Sequence, residues 1–370
     1  MYSNNLVTIV LGTRPEAIKL APLIIAFKKS KTLKIRVIFT GQHKEMVEQV
    51  MKIFDIQYDV NLNLMRHNQS LIHITNSVMK GMEREFESFK PNLLIVQGDT
   101  ASAFSAALAA FYHKIPVAHV EAGLRTNNIH NPFPEEANRR LISQISTLHF
   151  APTIDSKKNL INCGICDKVF VTGNTIIDAL LFTSKKETLL SLEKINWSLN
   201  DVIFATIHRR ENWGENIIKI SNALLKIINE MPKVALVIPM HPNLKVRKPL
   251  IKILSNHPRI ELIEPLNYSQ SIACMKKSKL IMTDSGGIQE EAPSLSKPVL
   301  VLRDSTEREE GIKAGTAKLI GTETQIIFEE TTKLLHDEKQ YIKMSQVKNP
   351  YGDGNASKKI LEICEEFINT

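Results

Sequence analysis

Apolar residues along the chain fall into short bounded runs separated by longer amphipathic stretches, a pattern that predicts alternating strands and helices. Residues 7–11 read as a strand, 15–29 as a helix and 35–39 as a second strand. Helices over 44–54 and near 71–89 bracket an irregular piece. Then come strand 93–97, an Ala-rich helix over 100–113, strand 117–120, a helix through 135–146, strand 148–151, a helix over 154–162 and strand 168–171. Strands this apolar are buried on both faces, which implies a parallel sheet covered by helices on either side.

The pattern loosens over 173–192, and a second series starts near residue 199. Strands at 202–207, 234–238, 260–263, 280–282 and 299–302 alternate with helices. A glycine-rich turn, Pro350-Tyr351-Gly352-Asp353-Gly354, precedes a last helix over 356–368. The expected class is α/β, with two doubly wound Rossmann-like domains facing across a cleft. The boundaries expected are 1–175 for the first domain and 176–354 for the second, with 355–370 a helix packing back on the first. Ligands of such sheets bind outside the carboxyl ends of the strands.

Composition narrows the partners. A chain of 370 residues exceeds one usual core, in keeping with two domains of roughly 150–200 residues. No apolar run reaches the ~20 residues of a membrane span, and residues 1–5 lack the features of a signal peptide, so a cytoplasmic protein without a membrane partner is expected. The net charge of +8 suits an anionic ligand. Its lysines are scattered, as in Lys28-Lys29, Lys157-Lys158 and Lys276-Lys277, and aromatics make up 6% without basic interleaving, which argues against nucleic acid. Cys163 and Cys166 form a Cys-x-x-Cys pair at the C-terminal end of a helix, whereas redox motifs place the attacking cysteine at a helix N-terminus. Cys274 and Cys364 add no second pair for zinc, so free thiols and no metal are expected.

Candidate chemistry collects at strand ends. Thr283-Asp284-Ser285-Gly286-Gly287 turns from a strand into a helix starting at Ile288-Gln289-Glu290-Glu291, with Asp284 or Ser285 as N-cap. Two glycines and free helix amides favour a phosphate, and Glu290 or Glu291 can accept from ribose hydroxyls. The first strand leads into Gly12-Thr13-Arg14-Pro15-Glu16-Ala17-Ile18-Lys19, which lacks the dinucleotide glycine fingerprint but aims Arg14 and Lys19 at one opening. Asp99, in Gly98-Asp99-Thr100, is either a helix cap or a functional carboxylate. Glu121 ends the next strand, and Glu135 stands four residues before Arg139, the spacing of a helical ion pair. In the second half, His208-Arg209-Arg210-Glu211-Asn212 can neutralise a leaving phosphate, and Arg308 follows the last strand. Pro239-Met240-His241-Pro242-Asn243 closes another strand in the same way.

Read together, Gly12 to Lys19, Gly98-Asp99-Thr100, His119 to Arg125, Pro134 to Arg139, His208 to Asn212 and Asp284 to Ser294 resemble the non-hydrolysing UDP-N-acetylglucosamine 2-epimerases over almost the whole chain. The resemblance implies a glycosyltransferase-B fold without cofactor or metal. It implies that Arg14, Lys19, Ser285, Gly286, Gly287, Glu291 and Arg308 hold UDP, with Ser271 beside the base, and that Asp99, Glu121, Glu135, Arg139 and His208 match the family's catalytic positions. It also matches Gln42, His43, Gln69, Glu136, Arg210 and His241 to a region linked to activation by a second UDP-N-acetylglucosamine molecule. A homodimer and a role in cell-surface polysaccharide synthesis are further implications. Ile207, Glu309, Asn68 and Ser271 depart from the family's usual residues. The competing readings are a hydrolysing 2-epimerase, an epimerase of a related UDP-amino sugar, a glycosyltransferase of the same fold and a silent nucleotide-sugar sensor.

Overall fold

A computed structural model describes residues 5–42, 44–64, 69–126 and 128–370. The chain forms two compact units, one running to Phe182 and rejoined by Tyr351–Thr370, the other Thr183–Pro350.

The first unit is built on a parallel sheet of β1 (Leu6–Leu11), β2 (Lys34–Phe39), β3 (Val60–Asn61), β4 (Leu93–Gln97), β5 (Val117–Val120), β6 (Leu148–Ala151) and β7 (Val169–Val171). Their order is β3-β2-β1-β4-β5-β6-β7. β1 and β4 are buried at every position, as a sheet covered on both faces demands. Helix Leu71–Ser88 buries Ile74, Val78, Met82 and Phe86, a four-residue spacing that presents one apolar stripe to the sheet.

The second unit repeats the plan with β8 (Asp201–Thr206), β9 (Val234–Pro239), β10 (Ile260–Ile263), β11 (Leu280–Thr283), β12 (Val299–Val301) and β13 (Ala317–Leu319), ordered β10-β9-β8-β11-β12-β13. In each sheet the strand order reverses beside the first strand, between β1 and β4 and between β8 and β11. Polar turns follow those strands at their carboxyl ends, the position where doubly wound sheets take ligands.

Three features differ from the pattern reading. β3 and β13 are edge strands of two and three residues, too short to register as apolar runs. Residues 173–192, which read as loose, contain helix Thr175–Ser184. Its buried positions mix Ile176, Ile177, Ala179 and Leu180 with Thr175, Asp178 and Thr183, which blurs the helical period. The first unit therefore continues past residue 175.

Asp178 also explains why the last helix belongs to the first unit. Its carboxylate accepts from the amides of Ala356 at 3.2 Å and Ser357 at 2.8 Å, at the start of helix Ala356–Asn369. Asn355, the residue at the N-cap, makes no side-chain cap of its own. Asp178→Ala should therefore cost about 1–2 kcal/mol, the range for a lost cap with buried amides left over. Thermal unfolding checks this; an unchanged midpoint contradicts it.

Among the described residues, no helix is long and apolar enough to cross a membrane. All four cysteines are free, Cys163 and Cys166 exposed and Cys274 and Cys364 buried.

Candidate functional site

In the first unit, β1 turns through Gly12 and Thr13 into helix Arg14–Lys28. Glu16 folds back on this turn, accepting from the amides of Gly12 at 2.9 Å and Thr13 at 2.6 Å. It also accepts from the Thr100 hydroxyl at 2.6 Å, which ties the turn after β1 to the turn after β4. Burial holds the Glu16 carboxyl above its ordinary pKa, against those hydrogen bonds. No side chain fits at Gly12, because a Cβ would lie 2.7 Å from Thr40 Oγ1 and 2.9 Å from Ser102 Oγ. Arg14 is half-buried in the first turn of the helix.

β4 ends in Gly98-Asp99-Thr100, and Thr100 caps the following helix by accepting from the Ala103 amide. Asp99 is thus not the cap. Its carboxylate instead takes Arg139, with Nε at 3.0 Å and Nη2 at 2.5 Å from Oδ2. Burial raises the Asp99 pKa, Arg139 opposes that rise, and the negative charge of Glu121 adds to it. Asn138 fixes the main chain by donating to the Asp99 carbonyl at 2.9 Å.

Glu121 follows β5 with a left-handed backbone, φ 64°, and is 8% exposed. Lys19 Nζ lies 2.5 and 2.7 Å from its two oxygens. The side-chain amides of Gln97 and Asn174 donate to the same carboxylate. His119, two residues earlier in β5, donates from Nε2 to the Gly98 carbonyl at 2.7 Å. Burial pushes its pKa down to about 3, so it is a neutral structural donor.

The helical pair expected between Glu135 and Arg139 does not form. Arg139 turns to Asp99 and to Glu136, the latter at 3.1 Å, because both acids are held rigidly within its reach. Glu135 is half-buried and has no ion-pair partner among the described residues. Glu136 is fully enclosed, accepting from Arg139, Arg140 and the Thr126 amide. Gln42 accepts from the Ser102 hydroxyl at 2.8 Å, and Gln69 is half-buried just before the cap of helix Leu71–Ser88. His43 and Asn68 lie outside the described residues.

In the second unit, Ser285 occupies the N-cap position of the short helix Gly286–Glu291 but makes no side-chain cap. Asp284 turns inward and meets His208, which follows β8, with Nδ1 2.9 Å from Oδ1. The His241 ring stacks beside His208 at 6.3 Å, and its pKa is lowered by burial and by the His208 charge. Arg210 is exposed, near the Trp213 ring.

Arg308 donates to Glu290 at 2.9 Å and lies flat against Gly286. A Cβ on Gly286 would sit 2.9 Å from the guanidinium carbon. Gly287 is exposed, Glu291 accepts from the Tyr268 hydroxyl at 2.8 Å, and Ser271 is half-buried one turn further along the Tyr268 helix. Pattern reading passed over Gln97, Asn138 and Asn174. Each is a lone amide whose partner is distant in sequence, and no local spacing marks it.

Two doubly wound parallel units with this strand order, each carrying charged groups at the switch point of its sheet, define the glycosyltransferase-B class of fold. A kitacinnamycin glycosyltransferase of known structure shares that fold alone, with a TM-score of 0.67 and 9% identity over 99% of each chain. The chain belongs to the UDP-N-acetylglucosamine 2-epimerase family, whose model matches residues 25–365. It is 50% identical over 361 residues to the UDP-N-acetylglucosamine 2-epimerase of Neisseria meningitidis serogroup A, covering 95% of this chain and 97% of the relative. A crystal structure of UDP-GlcNAc 2-epimerase from Neisseria meningitidis bound to UDP-GlcNAc is similar at a TM-score of 0.88, covering 98% of this chain and all of that one (100%).

Proposed function

We propose that this protein interconverts UDP-N-acetylglucosamine and UDP-N-acetylmannosamine at C2 without hydrolysis, supplying N-acetylmannosamine units for cell-surface polysaccharide. The observation that carries the reading is the pair of cation-held carboxylates at neighbouring strand ends, Asp99 on Arg139 and Glu121 on Lys19, in a chain of this family.

The C2 proton of the sugar has no adjacent carbonyl to acidify it. Departure of UDP from C1 supplies the acidity, because oxocarbenium character at C1 withdraws electrons from the C2–H bond. The C1–O electron pair leaves with the diphosphate and a carboxylate takes the C2 proton, which gives 2-acetamidoglucal and UDP. Protonation of C2 on the opposite face and return of the phosphate oxygen to C1 complete the inversion. No electrons are gained or lost overall, so the step consumes no redox cofactor.

In this reading Asp99 and Glu121 handle the proton, and burial shifts the Asp99 carboxyl in the direction that favours its protonated form. Glu135 supplies a further carboxylate near the sugar, and Arg139 orients Asp99. Arg14, Ser285, Gly286, Gly287, Glu291 and Arg308 bind UDP, and His208 stabilises the diphosphate as charge develops on it. Lys19 neutralises Glu121 until substrate arrives.

Incubation with UDP-N-acetylglucosamine alone, followed by proton NMR, tests the proposal. The expected product is UDP-N-acetylmannosamine at equilibrium with substrate, with total nucleotide sugar conserved. Free N-acetylmannosamine with UDP marks a hydrolysing enzyme, and unchanged substrate marks a transferase awaiting an acceptor or a binding protein.

A further inference from the structure

Asp284 directly precedes a helix, yet its carboxylate is fully buried and caps nothing in that helix. Among the described residues, the groups that meet this carboxylate all lie on the segment after β8. Oδ2 accepts from the His208 amide at 2.9 Å, the Arg209 amide at 2.9 Å and the Asn212 side-chain amide at 2.9 Å. Oδ1 accepts from the His208 amide at 3.1 Å and faces His208 Nδ1 at 2.9 Å. Burial alone would raise the carboxyl, but the His208 ring and these amides hold it below its ordinary pKa.

An ionised carboxylate can only accept, so the ring nitrogen facing it must carry the proton. Nε2 is then left as the working atom, an acceptor in the neutral ring and a donor in the imidazolium. The strand pairing that sets Thr283 beside Thr206 makes this contact rigid, because both residues leave neighbouring strands of one sheet. The stacked His241 cannot take the same part. Its Nδ1 already accepts from the Asn243 amide at 3.2 Å, and no carboxylate is paired with it among the described residues.

We infer that Asp284 is the positioning residue for His208, fixing the ring with its proton on Nδ1 so that Nε2, on taking up a second proton, donates to the departing diphosphate. The second half of this statement rests on the proposed epimerase reading. The first half does not.

Asp284→Asn is the informative variant because of how the donors are arranged. Three N–H groups converge on the Oδ2 position, so the asparagine oxygen is drawn there and its NH2 is turned towards His208 Nδ1. That nitrogen must now accept, and the ring proton moves to Nε2. The three N–H groups at Oδ2 keep their acceptor and only the longer His208 amide contact to Oδ1 is lost, so the fold survives.

In ¹⁵N-histidine NMR of the substrate-free protein above the ring's titration, with His208 assigned by loss of its signals in His208→Gln, the wild type should show the Nδ1–H tautomer. Asp284→Asn should show Nε2–H. A wild-type ring protonated on Nε2 overturns the inference, whatever reaction the protein performs. With UDP-N-acetylglucosamine, Asp284→Asn should lower kcat by about 10²-fold, in the range for a misplaced acid–base or donor group, while KM changes little. Added to His208→Ala, it should cost nothing more, since the two groups act as a unit. Wild-type kcat in Asp284→Asn, or losses that multiply in the double variant, overturn the assignment. Should Asp284→Asn fail to fold, the wild-type tautomer still decides the first half.

Discussion

Asp99→Asn should lower turnover by about 10²-fold or more while leaving UDP affinity close to that of the wild type, as expected of an acid–base group. The fold gives no reason for a stability loss of matching size. Thr100 caps the helix that follows, and the Asp99 carbonyl rather than its carboxylate receives Asn138. What the substitution removes is a proton-carrying group whose pKa burial has raised and which Arg139 holds in place. UDP binding is carried by other residues in the proposed reading, so titration calorimetry with UDP should barely change. Wild-type turnover in the variant would leave Asp99 with a structural role only.

Gly286→Ala should weaken UDP binding by about 10-fold or more while the protein still folds. The new methyl would lie 2.9 Å from Arg308 Cζ and 3.1 Å from Nε, closer than the atoms can approach. The obstructing atoms belong to the far end of a flexible side chain, so the guanidinium moves and the backbone need not. Displacement breaks the Arg308–Glu290 pair and removes a fork suited to phosphate. A charge-assisted hydrogen bond contributes about 1.5–3 kcal/mol, and tenfold in affinity corresponds to about 1.4 kcal/mol. Thermal unfolding and calorimetry separate the two effects. Unchanged UDP affinity would show that Arg308 does not hold the diphosphate.

Much of this architecture was legible in the chain itself. Strands buried on both faces read as bounded apolar runs, and each run ended in a polar turn, so the α/β class and the strand-end clusters followed together. Partnerships across the sheet were less accessible. Glu135 and Arg139 had the right helical spacing, but Arg139 chose Asp99, forty residues away, because that carboxylate is fixed where two guanidinium N–H groups reach one of its oxygens. Lys19, in the helix that follows β1, and Glu121, at the end of β5, belong to segments with β4 between them, a relation set by the order β1-β4-β5 and by no local motif. Asp284 had the position of a helix cap and the environment of a histidine's partner. Its role emerged only when β8 and β11 were seen to be neighbours. Helix Thr175–Ser184 was missed for a different reason, since buried Asp178 and Thr183 interrupt the apolar period that marks a helix.

The most direct test of C2 epimerisation through proton transfer is the reaction run in deuterium oxide with UDP-N-acetylglucosamine as the sole substrate. The account predicts that UDP-N-acetylmannosamine forms with deuterium at C2, because the proton taken from one face is replaced from solvent-exchanged groups on the other. Product that still retains protium at C2 once equilibrium is reached would contradict it.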